Sequence, residues 1–248
     1  RKGASSGLPP GQQRPVRRHQ WRGFDQPAGS NARPAGMPPQ GYPEAGEEGY
    51  LPPAVRVRRA VKAWRVAGAS RWVIRNLLEG AQIPWRRRPR FHRARPFSVP
   101  ESDQDIARAE MGRCVARGYW TELLGTDREK PVVIVNGFVT HSAGKPRFVI
   151  DARYQNEQME DRAFKYEGLA DLDPQLRPED KLLGWDLKDA YHHLQLRQSD
   201  RTYFSFQCMG RIFQCNTMPF GLKVAPFLWT NVFRPVVQAL RREGFRVI

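Results

Sequence analysis

The sequence predicts an α+β domain that follows a basic leader without regular structure. Two pairs of β-rich segments, within residues 131–150 and 203–217, enclose turn-forming residues and predict two β-hairpins. Apolar residues at helical spacing, such as Phe227, Leu228 and Val232, predict helices that pack one face against a sheet. The chain has 248 residues and 40% hydrophobic content, which is enough for one sizeable core.

Residues 1–54 form the predicted leader. They are rich in glycine, proline and arginine and contain few aliphatic side chains, so they bury too little apolar surface to offset the entropy of ordering the chain. Two interpretations of the arginines stay open, namely loose contact with RNA and a solvated tail or linker. The chain begins with Arg1 rather than methionine, which leaves room for a preceding targeting segment.

The charge and the cysteine content narrow the class of protein. The formal net charge of +16 and the sequence pI near 10.5 predict a polyanionic partner, either nucleic acid or an anionic membrane surface. Residues 1–98 carry 20 lysines and arginines against 5 acids, whereas residues 99–248 carry 21 against 20. No apolar run is long enough to predict a membrane span. Three cysteines without a CxxC pair favour a reduced intracellular protein, in the cytoplasm or the nucleus.

Residues 55–130 are predicted to form a helical extension that contains a basic loop. Ser70 suits the N-cap of a helix that Gly80 ends. The loop, residues 84–95, interleaves arginines with aromatic side chains, and its prolines exclude a regular helix. Such a loop suits contacts with phosphates and bases, and simple solvation is an equal alternative.

A second helix of the extension is predicted from Gln104 to Arg117. Ser102 or Asp103 is expected to cap its first turn, and Gly118 is expected to end it.

Residues 131–248 hold the predicted sheet. The strand segments are 131–139, 147–150, 181–187, 203–207 and 212–217, and a further strand begins at 245. The segment 181–187 is predicted to be the central strand. A final helix is expected to contain Pro226 in its first turn and to end at Gly244.

The residues with the strongest chemical signal follow the predicted central strand. The sequence at 185–191, Trp-Asp-Leu-Lys-Asp-Ala-Tyr, places Asp186 at a strand end, where a rigid sheet edge can hold a divalent metal. Asp186 by itself also suits a helix N-cap. The sequence at 218–222, Met-Pro-Phe-Gly-Leu, predicts a turn that opens a helix.

These two motifs resemble motifs A and B of reverse transcriptases, in particular those of retrotransposons of the DIRS-like, tyrosine-recombinase group, with similarity also to Gypsy-type enzymes. Further segments resemble that family in the same order, namely residues 63–84, 117–120, 145–156 and 164–169. The segment 145–156 looks like the fingers motif, with Lys145, Arg147, Asp151, Arg153 and Asn156 at its fixed positions. The resemblance extends, with gaps, from residue 63 to residue 248.

The resemblance implies a right-hand polymerase fold with fingers and a partial palm, in which helices pack on a ferredoxin-like sheet at residues 131–248. It implies an RNA-directed DNA polymerase that adds deoxynucleotides to a primer by two-metal chemistry with Mg²⁺. The implied partners are a template–primer of RNA or DNA and the dNTP, with no membrane, and the oligomeric state stays open.

The resemblance also implies roles for single residues of motif A. Asp186 is the implied catalytic residue and, with the adjacent Leu187, the implied metal site. Tyr191 is expected to lie beneath the incoming sugar and to exclude a 2′-hydroxyl, although a core tyrosine fits the sequence as well. Asp189 and Ala190 are expected to offer backbone N–H groups to the triphosphate.

Motif B and the fingers complete the implied pocket. Phe220 and Gly221 are expected to line it, because glycine allows the backbone to approach a base pair closely. Arg147 is expected to reach the triphosphate, since a guanidinium matches phosphate oxygens. The family usually places one or two lysines before the hairpin turn, where this chain has Thr-His at 140–141, so Lys145 is the nearby lysine.

Other polar residues of the same segments are expected to have structural roles. Asp151 and Arg153 are predicted to form a structural pair, and His192 and His193 are predicted to be structural residues or nucleic-acid contacts rather than metal ligands.

The chain departs from the family in one further respect. Motif C of the family, aromatic-x-Asp-Asp, supplies the second metal-binding carboxylate, and no Asp-Asp pair occurs in this sequence. The expectation is an N-terminal reverse transcriptase fragment that ends just before motif C and is inactive by itself. The alternative is a non-catalytic nucleic-acid-binding remnant or a structural subunit of a ribonucleoprotein. The Met-Pro-Phe-Gly-Leu form favours a retrotransposon enzyme over a group II intron-type or telomerase-like polymerase.

Overall fold

The computed structural model describes residues 49–142, 145–172, 174, 176–180, 184 and 186–247. Within these ranges the chain is a mixture of helices and one curled sheet, so the predicted α+β class is confirmed. Almost all of the predicted leader, residues 1–54, lies outside the described residues. None of the helices in the described part is long and apolar enough to cross a membrane.

Three short helices open the described chain. They are α1 (Pro53–Arg59), α2 (Val61–Val66) and α3 (Arg71–Glu79). The predicted cap of α3 is confirmed, because the Ser70 hydroxyl accepts a hydrogen bond from the Val73 N–H at 3.3 Å. Gly80 follows α3 with φ of 97°, a conformation that favours glycine.

The basic loop contains no helix, as predicted. Its one regular piece is β1 (His92–Arg93), which pairs in parallel with Val133 and Ile134 at the start of β3 (Val133–Ser142). Trp85 forms an isolated antiparallel bridge with Met159, and its ring stacks on Phe204 at a centroid distance of 5.5 Å. The loop is therefore fastened to the core at both ends.

The helix after the loop, α4 (Glu101–Ala116), begins three residues before the predicted start. Pro100 is its N-cap residue and makes no side-chain cap bond, so the expectation of a Ser102 or Asp103 cap is wrong. Asp103 is instead buried and accepts hydrogen bonds from Ser102 at 3.4 Å and from His141 at 2.9 Å. The Asp103 carboxylate thus contacts His141, far away in sequence, and does not cap the helix locally.

Six strands make the sheet, in the order β1-β3-β5-β6-β2, with β4 paired to β3. The remaining strands are β2 (Trp120–Leu123), β3 (Val133–Ser142), β4 (Lys145–Ile150), β5 (Ser205–Cys208) and β6 (Arg211–Cys215). The predicted hairpins are β3–β4 and β5–β6, both antiparallel. β2 pairs with β6, so the sheet joins the segments before and after residue 130.

Gly137 marks the point where β3 changes partners. Residues before it pair with β1 and β5, and residues from Gly137 onward pair with β4. A Cβ atom at this position would lie 2.5 Å from Phe148 Cζ and 2.8 Å from Phe206 Cδ2. Only a residue without a side chain fits beneath these two rings, and this lets the β3–β4 hairpin pack closely.

Two strand predictions find no support among the described residues. In the segment 181–187 the described residues, Gly184, Asp186 and Leu187, belong to no strand, and the others lie outside the described residues. Residues 245–247 are also not in a strand.

The second hairpin and the last helix follow their predictions. Met209 and Gly210 connect β5 to β6 with φ of 50° and 73°, as a tight hairpin turn requires. The last long helix, α7 (Ala225–Arg242), has Pro226 in its first turn, and Gly244 follows it with φ of 91°. The shorter helices are α5 (Arg153–Gln158) and α6 (Leu169–Leu172), with 3-10 helices at Gly125–Glu129, Ala190–His193 and Gln198–Tyr203.

One hydrophobic core runs from Val61 in α2 to Val232 in α7. Its largest fully buried side chains include Tyr119, Phe206 and Phe213, and Trp120 meets Phe206 edge-on at 4.7 Å. Cys114, Cys208 and Cys215 are buried free thiols.

Candidate nucleotide-binding site

The structure brings together residues that are far apart in the sequence at the side of the molecule where α7 begins. The ring of Tyr191 lies 5.0 Å from the ring of Phe220, measured between centroids. Phe220 is exposed and Tyr191 is half-buried. Burial raises the pKa of the Tyr191 hydroxyl, and the nearby Tyr166 hydroxyl raises it further. Two aromatic rings therefore form one wall that solvent reaches.

Gly221 joins this wall to the end of β4. Its φ is 91°, and a Cβ atom here would lie 3.6 Å from the Ile150 carbonyl oxygen. Asn156 of α5 donates a hydrogen bond to the Gly221 carbonyl at 2.9 Å and accepts one from the Lys223 N–H at 2.9 Å. One side chain thus satisfies the backbone on both sides of the turn, and motif B is held against the base of the β3–β4 hairpin.

Lys145 and Arg147 lie farther out on the same hairpin. Both are exposed on β4, where Lys145 pairs with Ser142 and Arg147 with Thr140. Neither forms an ion pair with any residue of the described chain. Arg147 is three residues from Ile150, which corresponds to about 10 Å along a strand. Their positive charges are free to meet an anion that approaches from the hairpin side.

Asp186 and Leu187 are exposed and lie outside any helix or strand. Within the described ranges no group of three His, Cys, Asp or Glu side chains is close enough to hold a metal ion. Mg²⁺ takes six oxygen ligands, and two-metal sites need more than one anchoring carboxylate. One carboxylate and one backbone carbonyl therefore do not fit a two-metal site by themselves.

Asp189, three residues after Asp186, is the centre of a charged cluster that the sequence did not predict. Its Oδ2 accepts hydrogen bonds from Arg113 at 2.8 Å, from Arg117 at 3.0 Å and from the Tyr119 hydroxyl at 3.3 Å. The Asp189 side chain is 14% exposed. Its backbone is left-handed, with φ of 55°, which is costly for most residues but tolerated by Asp. The three bonds therefore stabilise a strained turn directly before Tyr191.

The pKa shifts of the cluster follow from its charges. Burial raises the pKa of Asp189, but the hydrogen bond and charge of Arg113 outweigh burial and hold the pKa below its ordinary value. Arg113 also forms a two-pronged pair with Glu110 at 2.7 Å, and that pair raises the pKa of the guanidinium. Burial raises the pKa of Tyr119 to about 12. At neutral pH Asp189 and Glu110 are therefore charged carboxylates, Arg113 is a cation and Tyr119 is a neutral phenol.

His192 extends the cluster into the core. Its ring stacks on Tyr119 at 4.1 Å, and its Nδ1 lies 2.8 Å from the Thr217 hydroxyl. Burial lowers the pKa of His192 to about 4, against the opposing charge of Asp189, while Arg113 lowers it further. The imidazole is neutral at pH 7, and the prediction of a structural His192 agrees with this packing.

Other predicted residues have simpler surroundings. Ala190 starts the 3-10 helix Ala190–His193, and the expected contact of Asp189 and Ala190 backbone N–H groups with a triphosphate stays a prediction. The predicted pair is present, because Arg153 donates to both carboxylate oxygens of Asp151 at 2.8 and 2.7 Å. His193 Nδ1 lies 3.3 Å from the Asp189 carbonyl, a local contact.

Sequence reasoning missed Arg113, Arg117 and Asn156 as site-supporting residues. Arg113 lies in the last turn of α4 and Arg117, four residues later, is its C-cap residue, so the two side chains lie on the same side of the helix end. That spacing could have predicted that the two arginines bind one anion. Nothing in the sequence identified their partner, Asp189, which lies more than 70 residues away. Asn156 is a fixed position of the fingers motif that the sequence resembles, but its contacts with the Gly221 turn were not predicted.

Known proteins are similar to parts of this chain. Residues 141–247 match the family model described as reverse transcriptase (RNA-dependent DNA polymerase). The transposon Tf2-7 polyprotein of Schizosaccharomyces pombe is 27% identical over 89 residues, which cover 36% of this chain and 7% of that polyprotein. The enzymatic polyprotein of cauliflower mosaic virus is 26% identical over 117 residues, 47% of this chain and 16% of that protein. The chain spans a small part of the length of these relatives.

Among solved structures, the protease–reverse transcriptase of prototype foamy virus aligns with 65% of this chain and 22% of its own length. The sequence identity is 14% and the TM-score is 0.47. A likeness at this level does not bear on the chemistry of the site.

Proposed function

From the match of residues 141–247 to the reverse transcriptase family model, we propose that this chain forms the fingers and part of the palm of a retroelement RNA-directed DNA polymerase. The reaction proposed for the whole protein adds a deoxynucleotide to a primer on an RNA or DNA template. The primer 3′-oxygen attacks the α-phosphorus of the dNTP, and pyrophosphate leaves.

The observation that supports this proposal is the meeting of three separate segments at one place. Tyr191 from motif A contacts Phe220 from motif B, and Gly221 packs against Ile150 at the base of the fingers hairpin. A nucleotide held here would have its base and sugar against the two rings. Its triphosphate would extend toward Arg147 and Lys145, the free cations of β4.

The proposed task of Tyr191 is to select the sugar. A half-buried ring packed against Phe220 cannot move aside easily, so a 2′-hydroxyl would overlap it. The charged cluster at Asp189 supports that task, because it holds the turn directly before Tyr191 through Arg113 and Arg117. The ring position then depends on α4 as well as on motif A.

Asp186 is proposed as the carboxylate that this chain contributes to the reacting centre, with Leu187 beside it. Mg²⁺ is the proposed cofactor of the whole protein and would supply Lewis-acid stabilisation of phosphate charge when bound. Because the described residues contribute one such carboxylate, the 248-residue polypeptide by itself is proposed not to extend a primer.

The sugar preference of nucleotide binding tests the proposal. The chain is bound to a primer–template whose next template base is adenine, and dTTP and UTP compete against a fluorescent nucleotide. We expect dTTP to bind about 5- to 150-fold more tightly than UTP, as a steric clash of about 1–3 kcal/mol predicts. Tyr191→Ala is expected to bring the ratio to within about twofold, and Tyr191→Phe is expected to keep it.

Tyr154→Ala is the matched control, because Tyr154 stacks on His92 and lies outside the proposed pocket. It should leave the ratio unchanged. Equal binding of dTTP and UTP by the unaltered chain, or no binding of either, would favour the alternative of a non-catalytic nucleic-acid-binding remnant.

A further inference from the structure

The basic charge of this chain is concentrated in the helical extension and its loop. Residues 49–98 carry 13 lysines and arginines and one acid, Glu79, whereas residues 1–48 carry 7 against 4 acids. α1, α2 and α3 and the loop that follows them therefore account for most of the positive charge of the front half. Such a density of positive charge attracts a polyanion within the Debye length of about 8–10 Å.

A groove lies within this basic region. It has a volume of about 720 Å³ and is lined by Trp72 of α3, by Arg86, Arg87 and Arg88 of the loop, and by Arg162 and Phe227. Ligand pockets in proteins range from about 300 to 1,000 Å³, so the groove has room for a nucleotide-sized group. Glu160 is the one acid in the lining, so four arginines face one carboxylate.

The arginines keep donors for a ligand although each has a partner in the chain. Arg86 pairs with Asp161 at 3.3 Å, but both side chains are exposed, at 61% and 81%. Arg87 uses its Nε for Gln158, and Arg88 uses one Nη for Asp200. A guanidinium has five N–H donors, and exposed ion pairs are weak, so phosphate oxygens can compete for the rest.

The groove also offers aromatic surface. Trp72 is 37% exposed and meets Phe227 edge-on at 6.4 Å, which fixes its ring at the groove wall. Aromatic rings beside arginines are the arrangement that binds single-stranded nucleic acid, with bases stacked on the rings and phosphates on the cations. A folded protein partner would not need stackable rings, and a duplex keeps its bases stacked on one another.

We propose that the groove between α3, the Trp85–Arg88 loop and the start of α7 binds single-stranded nucleic acid. The site goes beyond the proposed nucleotide pocket, because its lining shares no residue with Tyr191, Phe220, Gly221, Arg147 or Lys145. The strand contacts Arg86 and Arg162 through phosphates and stacks at least one base on Trp72. The extension thereby binds nucleic acid at a site that is separate from the nucleotide pocket.

The test uses the full chain without nucleotide or metal, so its outcome is independent of the pocket. Binding of a fluorescein-labelled oligothymidylate about 20 nucleotides long is followed by anisotropy across a salt series. Arg86→Gln with Arg162→Gln removes two phosphate contacts and should reduce the slope of log K against log salt by about 1.4. At about 0.1 M salt this corresponds to about 25-fold weaker binding.

The matched control is Arg108→Gln with Arg211→Gln. These two arginines also form exposed ion pairs, with Asp105 and Glu122, but they do not line the groove. The same loss of two charges should here leave the slope within about 0.3 of the original value. Circular dichroism of both double variants checks that the fold is retained.

Trp72 separates stacking from charge. Trp72→Ala should weaken binding about 5- to 100-fold without changing the salt slope, and Trp72→Phe should restore most of the affinity. Equal effects of the two double arginine variants would overturn the proposal and assign binding to overall charge. Unchanged affinity of Trp72→Ala, or equal competition by polyglutamate and oligothymidylate, would overturn it as well.

Discussion

The charged cluster around Asp189 leads to a prediction about the stability of the fold, and the structure gives its approximate size. Asp189→Asn keeps the size of the side chain and a residue type that tolerates the left-handed backbone. It removes the charge that accepts hydrogen bonds from Arg113, Arg117 and Tyr119. The variant therefore tests the ion cluster and leaves the turn chemistry intact.

The expected cost follows from burial. Removing one partner of a buried ion pair costs about 3–5 kcal/mol. Asp189 is largely buried, but Arg113 is 32% exposed and keeps Glu110 as a partner, so solvent and Glu110 recover part of the loss. We expect a cost of about 2–4 kcal/mol in the free energy of unfolding. A chain of this size loses about 2–4 °C in Tm per kcal/mol, which gives a decrease of about 4–16 °C.

The assay is thermal and urea unfolding followed by circular dichroism, with Asp151→Asn as the control. Asp151 also pairs with an arginine, but the Arg153 side chain is 86% exposed. The same substitution there should cost less than about 1 kcal/mol. If Asp189→Asn and Asp151→Asn lowered the stability equally, the cluster would not hold the turn and its proposed role would be refuted.

Three further predictions concern His192, two glycines and the activity of the chain. Burial holds the pKa of His192 near 4, below its unfolded value of about 6.5. The unfolded state therefore binds the proton first, and stability should fall by about 3 kcal/mol from pH 6.5 to pH 4. His192→Asn should lose this component in urea unfolding, and parallel curves would contradict it. Gly137→Ala should cost about 1–3 kcal/mol, because its Cβ would meet Phe148 and Phe206, as urea midpoints can show. Gly112→Ala in α4, with nothing within 4 Å, should instead stabilise by about 0.5–1 kcal/mol. The 248-residue chain should not extend a primer in a gel assay with Mg²⁺ and dNTPs, and extension that Asp186→Asn abolishes would contradict this.

Local signals in the sequence predicted the local structure well. Ser70 precedes α3 and Gly80 follows it, and the Met209–Gly210 turn joins β5 to β6. These features were predictable because caps and tight turns depend on a few neighbouring residues. The two hairpins and α7 followed for the same reason. The start of α4 was wrong because Asp103 bonds His141 of β3, which no local rule could anticipate.

The remaining features depend on contacts between residues far apart in the sequence, and local patterns do not predict such contacts. The β3–β5 pairing joins residues about 70 positions apart, and no local pattern in the sequence identifies such a partner. In the candidate site, the residue types of Tyr191, Phe220 and Gly221 pointed to their meeting only through the family resemblance. The partners of Asp189 come from the end of α4 and the residues directly after it, far away in sequence, and charge alone did not identify them.

The most direct test of the proposed polymerase function is the template dependence of nucleotide affinity. The chain is bound to four primer–templates that differ only in the next template base, and the dissociation constant of each dNTP is measured. We expect the complementary dNTP to bind at least about tenfold more tightly than the other three on every template, a difference of about 1.4 kcal/mol. Equal affinities for the four dNTPs on all templates would contradict the proposed function.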